Sequence, residues 1–171
     1  MSRRNNPLPA ELAPHDVIAI VDTREQAPFD LAPLQMIEGS LTTGDYSFRG
    51  GEQICRIERK SLPDLVGCCG TERQRFEREV ERLLAFPSRA IVVEASWNDV
   101  EAGDWRSQIS AKAVAQSLLS WISQGLPVVL AGSREKAADY TARMLYLAAR
   151  RQYRTARAMI KGISSPREAG N

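Results

Sequence analysis

The feature that most limits what this chain can fold into is a set of short runs without polar alternation. VIAIV (17–21), AIVVEA (90–95) and PVVLAG (127–132) are apolar and rich in β-branched residues. A strand with one wet face alternates, whereas a run that is apolar throughout must be covered on both sides. The intervening sequence supplies the cover. SLPDLVGCC (61–69) predicts a short helix with Pro63 near its first turn. The next helix, ERQRFEREVERLLAF, has Thr71 as its expected cap and places Phe76, Val80, Leu83 and Leu84 on one face. SQISAKAVAQSLLSWISQG (107–125) predicts a helix closed by Gly125, and Ser133 is expected to cap a last one to about residue 155. SLTTGDYSF (40–48) and QICRIERK (53–60) predict two hairpin strands turning at Gly50-Gly51. Residues 29–39 read as a connection with one short helical turn, and WNDVEAGDW (97–105) as an acidic loop. The expected class is α/β: a central mixed sheet with an antiparallel hairpin, flanked by helices.

Composition removes several chemistries. The single histidine, His15, precedes the first strand, so neither a Ser-His-Asp triad nor a two-histidine zinc helix can be assembled. The three cysteines, Cys55, Cys68 and Cys69, form no C-x-x-C pair and read as buried small hydrophobes. No apolar run approaches a membrane span and the start has no apolar h-region, so a cytoplasmic chain with no membrane partner is expected. Any catalysis falls to carboxylates and lysine, with a hard metal ion. The net charge is only +2, yet from Arg143 onward seven Lys or Arg face one acid, Glu168. That basic end suits phosphate contact or a solvated helix end with a tail. The four Arg and four Glu of 72–82 read as a solvated face.

The hairpin concentrates the candidates. With Gly50-Gly51 as a two-residue turn, Asp45 lies opposite Arg56, and Asp45, Arg56, Glu58 and Lys60 share a face. Asp45 and Glu58 are then diagonal neighbours, roughly 7–8 Å apart along the backbone, a span two carboxylates can close around one cation. Lys60 follows on the same face, where an ammonium can steady charge growing on a phosphate. It is the only lysine before residue 112 in a chain of nineteen Arg and four Lys. A loop longer by one residue would turn Asp45 to the other face, and a half-exposed hairpin with a charged side is the alternative.

VDTRE (21–25), GDY (44–46) and ERKSLPDL (58–65) together resemble the nuclease domain of the XPF/Hef family of structure-specific endonucleases, over about residues 16 to 152. The resemblance implies a restriction-nuclease-like core that cuts branched or single-strand/duplex junction DNA with Mg²⁺ or Mn²⁺, in repair or recombination. It implies that Asp45 and Glu58 ligate the metal, with the Arg59 carbonyl helping and Asp22 completing the acidic cluster directly or through water. Lys60 would be the base or charge stabiliser, Arg24, Glu25 and Arg59 would order the site and phosphate, and Asp64 would close the motif. Arg73, Arg75, Arg150, Arg151 and Arg154 are the expected DNA contacts.

The implied organisation is a flexible arm (1–15), the nuclease domain (16–152) and a basic helix end and tail (153–171). A nucleoid-associated location follows for a bacterial or viral chain, with a nuclear one left open. No helix-hairpin-helix pattern follows the core, so DNA grip would come from the basic end or a partner protein. Tyr140, Met144, Leu147 and Ala148 could face the sheet or a second subunit, giving a homodimer or heterodimer. Two other functions stay open: a non-catalytic DNA-binding or scaffold subunit, and a nuclease for another nucleic acid.

Overall fold

A computed structural model describes residues 9–164. Six strands form one mixed sheet in the order β2-β1-β3-β4-β5-β6. They are β1 (Ile18–Asp22), β2 (Gln35–Gly39), β3 (Tyr46–Phe48), β4 (Cys55–Lys60), β5 (Ser88–Val93) and β6 (Val128–Leu130). β1 pairs in parallel with β2 and antiparallel with β3. β3 and β4 are antiparallel, and β4, β5 and β6 run parallel. This is the expected α/β layer fold with its antiparallel insert.

Each face of the sheet has its own core. On one, α5 (Arg134–Ser164) lays Ala137, Leu145, Ala148 and Ala149 against Ala19, Val21, Tyr46, Ile57 and Val92. Small side chains let the helix approach the sheet closely. On the other, α1 (Leu62–Cys69), α2 (Arg73–Leu84) and α4 (Ala111–Ser123) pack Leu65, Phe76, Val80, Leu118 and Trp121 on Ile91 and Val93. Ile91, Val92 and Val93 alternate between these cores and are all fully buried, as an uninterrupted apolar strand requires. All three cysteines are buried and free. No described helix is long and apolar enough to cross a membrane.

Several expectations change. Residues 35–39 form the edge strand β2 where a connection was predicted. Residues 40–45 precede β3 rather than belonging to a long hairpin strand. Within the predicted acidic loop, Trp97–Ala102 is a short helix, α3, because Ser96 and Asp99 form a capping box. The cap of α2 is Glu72, not Thr71, and α5 continues to Ser164, so the boundary at 152/153 falls inside one helix. The expected arm is tied down where it is described. Tyr146 donates to the Leu12 carbonyl at 3.0 Å, and Tyr153 and Arg157 reach the carbonyls of Pro9 and Ala10. Residues 1–8 and 165–171 lie outside the described residues. Tyr140 and Met144 pack against the core and Ala148 is buried in it, whereas Leu147 is 53% exposed.

Candidate active site

The hairpin turns through residues 49–54, not through two glycines. Gly51 accepts from Ile54 and Cys55 N–H, both at 2.9 Å, and a Cβ on it would lie 2.1 Å from the Phe48 ring. The longer loop slides the register, so Tyr46 pairs with Ile57 instead of Cys55. Arg56, Glu58 and Lys60 share one face of β4 by strand alternation, whatever the register. Asp45 lies just beyond the β3 ladder, so pleat alternation does not place it. Its N–H donates to the Ile57 carbonyl at 2.8 Å, its carbonyl accepts from Asp22 N–H at 2.8 Å, and its Oδ2 accepts from Arg59 N–H at 2.7 Å.

These residues stand at the carboxyl ends of β1 and β4, where parallel α/β sheets expose ligand sites. A cleft of ≈810 Å³ opens there, lined by Asp22, Arg24, Glu25, Asp45, Glu58, Arg59, Lys60 and Asp64, with Arg75, Phe76, Glu79 and Arg82 from α2. All eight expected catalytic positions and Arg75 therefore meet in one cleft. A more apolar cavity of ≈350 Å³ lies at the opposite end of the sheet, between β1, β3 and α5. Asp16 is its only acidic lining residue, so it offers no paired carboxylates.

The acids are not equivalent. Asp22 is fully braced: Oδ1 accepts from the Arg24 N–H at 2.9 Å and from Arg24 Nε at 2.6 Å, and Oδ2 from Leu41 N–H at 2.6 Å. Burial alone would raise its pKa, but those donors and the Arg24 charge hold it below the usual carboxylate value. Asp22 thus orients Arg24, and its Oδ2, which accepts one bond, keeps a lone pair toward the cleft. Asp45 is the opposite case. Burial first, and then the charge of Glu58, push its carboxyl up to about 8. Glu58 is also raised, chiefly by burial, although Lys60 opposes the shift. Lys60 Nζ donates to Glu58 Oε1 and lies 4.9 Å from the Phe76 ring centroid. Burial would favour neutral Lys60, yet the Glu58 charge wins and keeps it an ammonium.

Arg59 turns to the other side of β4. Its Nε donates to Glu94 at 2.7 Å, and Nη1 lies 3.3 Å from Glu25. Arg134, at the start of α5, donates to the same Glu94 oxygen at 2.8 Å and to the Ala27 and Pro28 carbonyls. Both guanidinium groups lie over the Phe29 ring. Asp64 serves the α1 cap, accepting from Ser61 Oγ at 2.6 Å while its N–H donates back to that oxygen.

The expected DNA contacts divide. The Arg75 side chain is 74% exposed at the cleft, as is that of Arg24, expected to order the phosphate, at 69%. Arg73 is turned to Glu77 and the Ser117 hydroxyl, outside the cleft lining. Arg150, Arg151 and Arg154 sit on the far half of α5. At ~1.5 Å per residue they are roughly 24–30 Å from Arg134, which bonds the carbonyl of the cleft-lining Ala27. Sequence reasoning missed Glu79, Arg82, Glu94 and Arg134. Glu79 had one available signal, its spacing of three from Phe76 and four from Leu83, which puts it beside the buried stripe of α2.

Without a cation, Asp45 and Glu58 are both pushed toward the protonated form; a divalent ion would favour their ionised form, and their hard oxygens suit Mg²⁺ or Mn²⁺. Among the described residues no three acidic, histidine or cysteine side chains converge enough to cage an ion alone. A cation that keeps several waters and takes one or two carboxylates does not need such a cage.

Comparison with known proteins agrees with this geometry. The family model described as "ERCC4 domain" matches residues 21–144. Among solved structures, XPF from Aeropyrum pernix is similar at TM-score 0.64 and 19% identity, over 78% of this chain and 62% of that one. XPF from Aeropyrum pernix in complex with DNA is similar at TM-score 0.62 and 19% identity, over 80% of this chain and 66% of that one. The chain thus spans just under two thirds of either structure's length. No curated protein gives a significant match.

Proposed function

Because the chain belongs to the ERCC4 domain family, we propose that it is a divalent-cation-dependent DNA endonuclease, acting at junctions of single-stranded and duplex DNA. One observation carries the reading: Asp45 and Glu58 line one open cleft with the Lys60 ammonium bonded to Glu58, and there burial and the Glu58 charge push Asp45 up while burial raises Glu58. Buried like charges are costly unless something compensates them, and such arrangements cluster at functional sites. The presence of DNA in one similar structure supports the substrate class.

Asp45 and Glu58 would hold the ion. When bound, Mg²⁺ or Mn²⁺ supplies Lewis-acid polarisation of a phosphate oxygen and makes water more acidic. The chain supplies the rest. Lys60, held protonated by Glu58, places positive charge where the phosphorane-like transition state gains negative charge. Its protonated state fits a charge stabiliser rather than a general base. Arg24, fixed through Asp22 and by a 2.8 Å bond to the Leu41 carbonyl, presents its guanidinium at the rim to a phosphate. Arg75 offers a second cation from α2. The Arg59 N–H fixes Asp45 Oδ2, so backbone and carboxylate move as one unit. The assembly of Asp45, Glu58 and Lys60 in one cleft favours an enzyme over the scaffold alternative.

The test is cleavage of splayed-arm, flap and plain duplex DNA with Mg²⁺ or Mn²⁺. Asp45→Ala is expected to lower the rate by more than about 10²-fold with junction binding retained. Equal cutting by Asp45→Ala and wild type would remove the site. Equal cutting of plain duplex and forked DNA would remove the junction preference.

A further inference from the structure

Glu79 belongs to none of the three motif blocks, and its helix reads from sequence as a solvated charge run. Its carboxylate is nonetheless fully engaged. Oε1 accepts from the Thr43 hydroxyl and from Gly44 N–H at 3.1 Å, and Oε2 accepts from Arg82. Thr43 is buried. α2 is itself fixed to the sheet through Phe76, Val80 and Leu83. Glu79 therefore ties a rigid helix to the turn that delivers Asp45.

That turn needs such a tie. Gly44 has φ +70°, and a Cβ there would lie 3.2 Å from the Ile57 carbonyl oxygen. Glycine permits this conformation but does not enforce it, since it visits many others. Asp45 follows at once, before the β3 ladder begins. Oε1 is committed to the turn through two bonds, and Oε2 to Arg82.

The geometry points to Glu79 as a positioning residue that sets the Thr43–Gly44 turn, so that the Asp45 carboxylate meets Glu58 in the cleft, and holds Arg82 at the rim. The catalytic consequence rests on the nuclease reading, but the tether does not. A carboxamide keeps one acceptor oxygen, so Glu79→Gln and Glu79→Ala separate tethering from charge.

The experiment uses the full chain as wild type, Glu79→Ala, Glu79→Gln and the exposed control Glu81→Ala. Three quantities are measured: hydrogen exchange over residues 42–46, the Mn²⁺ concentration for half-saturation by calorimetry, and forked-DNA cleavage. Glu79→Ala is expected to speed exchange in that segment, to weaken Mn²⁺ binding by about tenfold or more, and to lower kcat while KM for DNA stays within about twofold. Glu79→Gln is expected to restore most of each, and Glu81→Ala to match wild type. Unchanged exchange and Mn²⁺ affinity in Glu79→Ala would overturn the proposal, as would equal impairment by both Glu79 variants. If the wild type cuts no DNA, the nuclease reading fails, while exchange and Mn²⁺ binding still decide the role of Glu79.

Discussion

Three consecutive residues on β4 face two opposite electrostatic situations. Glu58 and Lys60 point into the cleft, where Asp45 and Glu58 outnumber Lys60 and both carboxyls are pushed up. Arg59, between them, points to a lattice where two acids, Glu25 and Glu94, meet two guanidinium groups, Arg59 and Arg134. One side is charge-balanced and hydrogen-bonded, and locks the 24–28 loop and α5 onto the sheet. On the other, the buried carboxyls of Asp45 and Glu58 have one ammonium, Lys60, between them, and they line an open cleft. The difference teaches that the stable side holds the backbone so that the unfavourable side can persist. Removing a partner should cost stability on the balanced side and release it in the cleft.

The largest change after loss of catalysis itself is expected from breaking the balanced side. Glu94→Gln leaves two guanidinium groups sharing one neutral acceptor. It should destabilise the fold by about 2–3 kcal/mol in urea denaturation, with Arg134→Ala costing less because its side chain is more exposed. A Glu94→Gln protein as stable as wild type would show that the lattice is ornamental.

The cleft side should respond with the opposite sign. Asp45 ionises near 3.8 in a free chain and at about 8 here. Between those values the unfolded chain has lost this proton and the folded chain keeps it. The cation-free protein should therefore lose stability as pH rises from about 4 to about 8. Asp45→Asn removes that slope and should gain about 1–2 kcal/mol at pH 8, while abolishing cleavage. A variant no more stable than wild type at pH 8 would mean that Asp45 is already compensated.

The same contrast explains what was legible in the sequence. VIAIV, AIVVEA and the amphipathic α2 declared themselves because burial on two faces or one leaves a periodic trace. β2 did not: Met36 and Ile37 on this edge strand are exposed, and its pairing with β1 is long-range. α3 was hidden by its acidity, although Ser96 and Asp99 carry a capping box. Asp45, Glu58 and Lys60 were readable because they crowd one hairpin and match a known motif. Glu58 and Lys60 share a face by alternation within β4, so misjudging the turn did not affect them. Glu79, Glu94 and Arg134 were not readable, since each acts across elements far apart in sequence and only packing brings them to the site.

The most direct test is a crystal of the wild-type protein soaked in Mn²⁺, with anomalous scattering used to locate the ion. The account expects one strong peak between Asp45 and Glu58, about 2.1–2.3 Å from a carboxylate oxygen of each, absent in Asp45→Asn. A cleavage-competent protein whose Mn²⁺ lies elsewhere, with Asp45 and Glu58 unliganded, would contradict it.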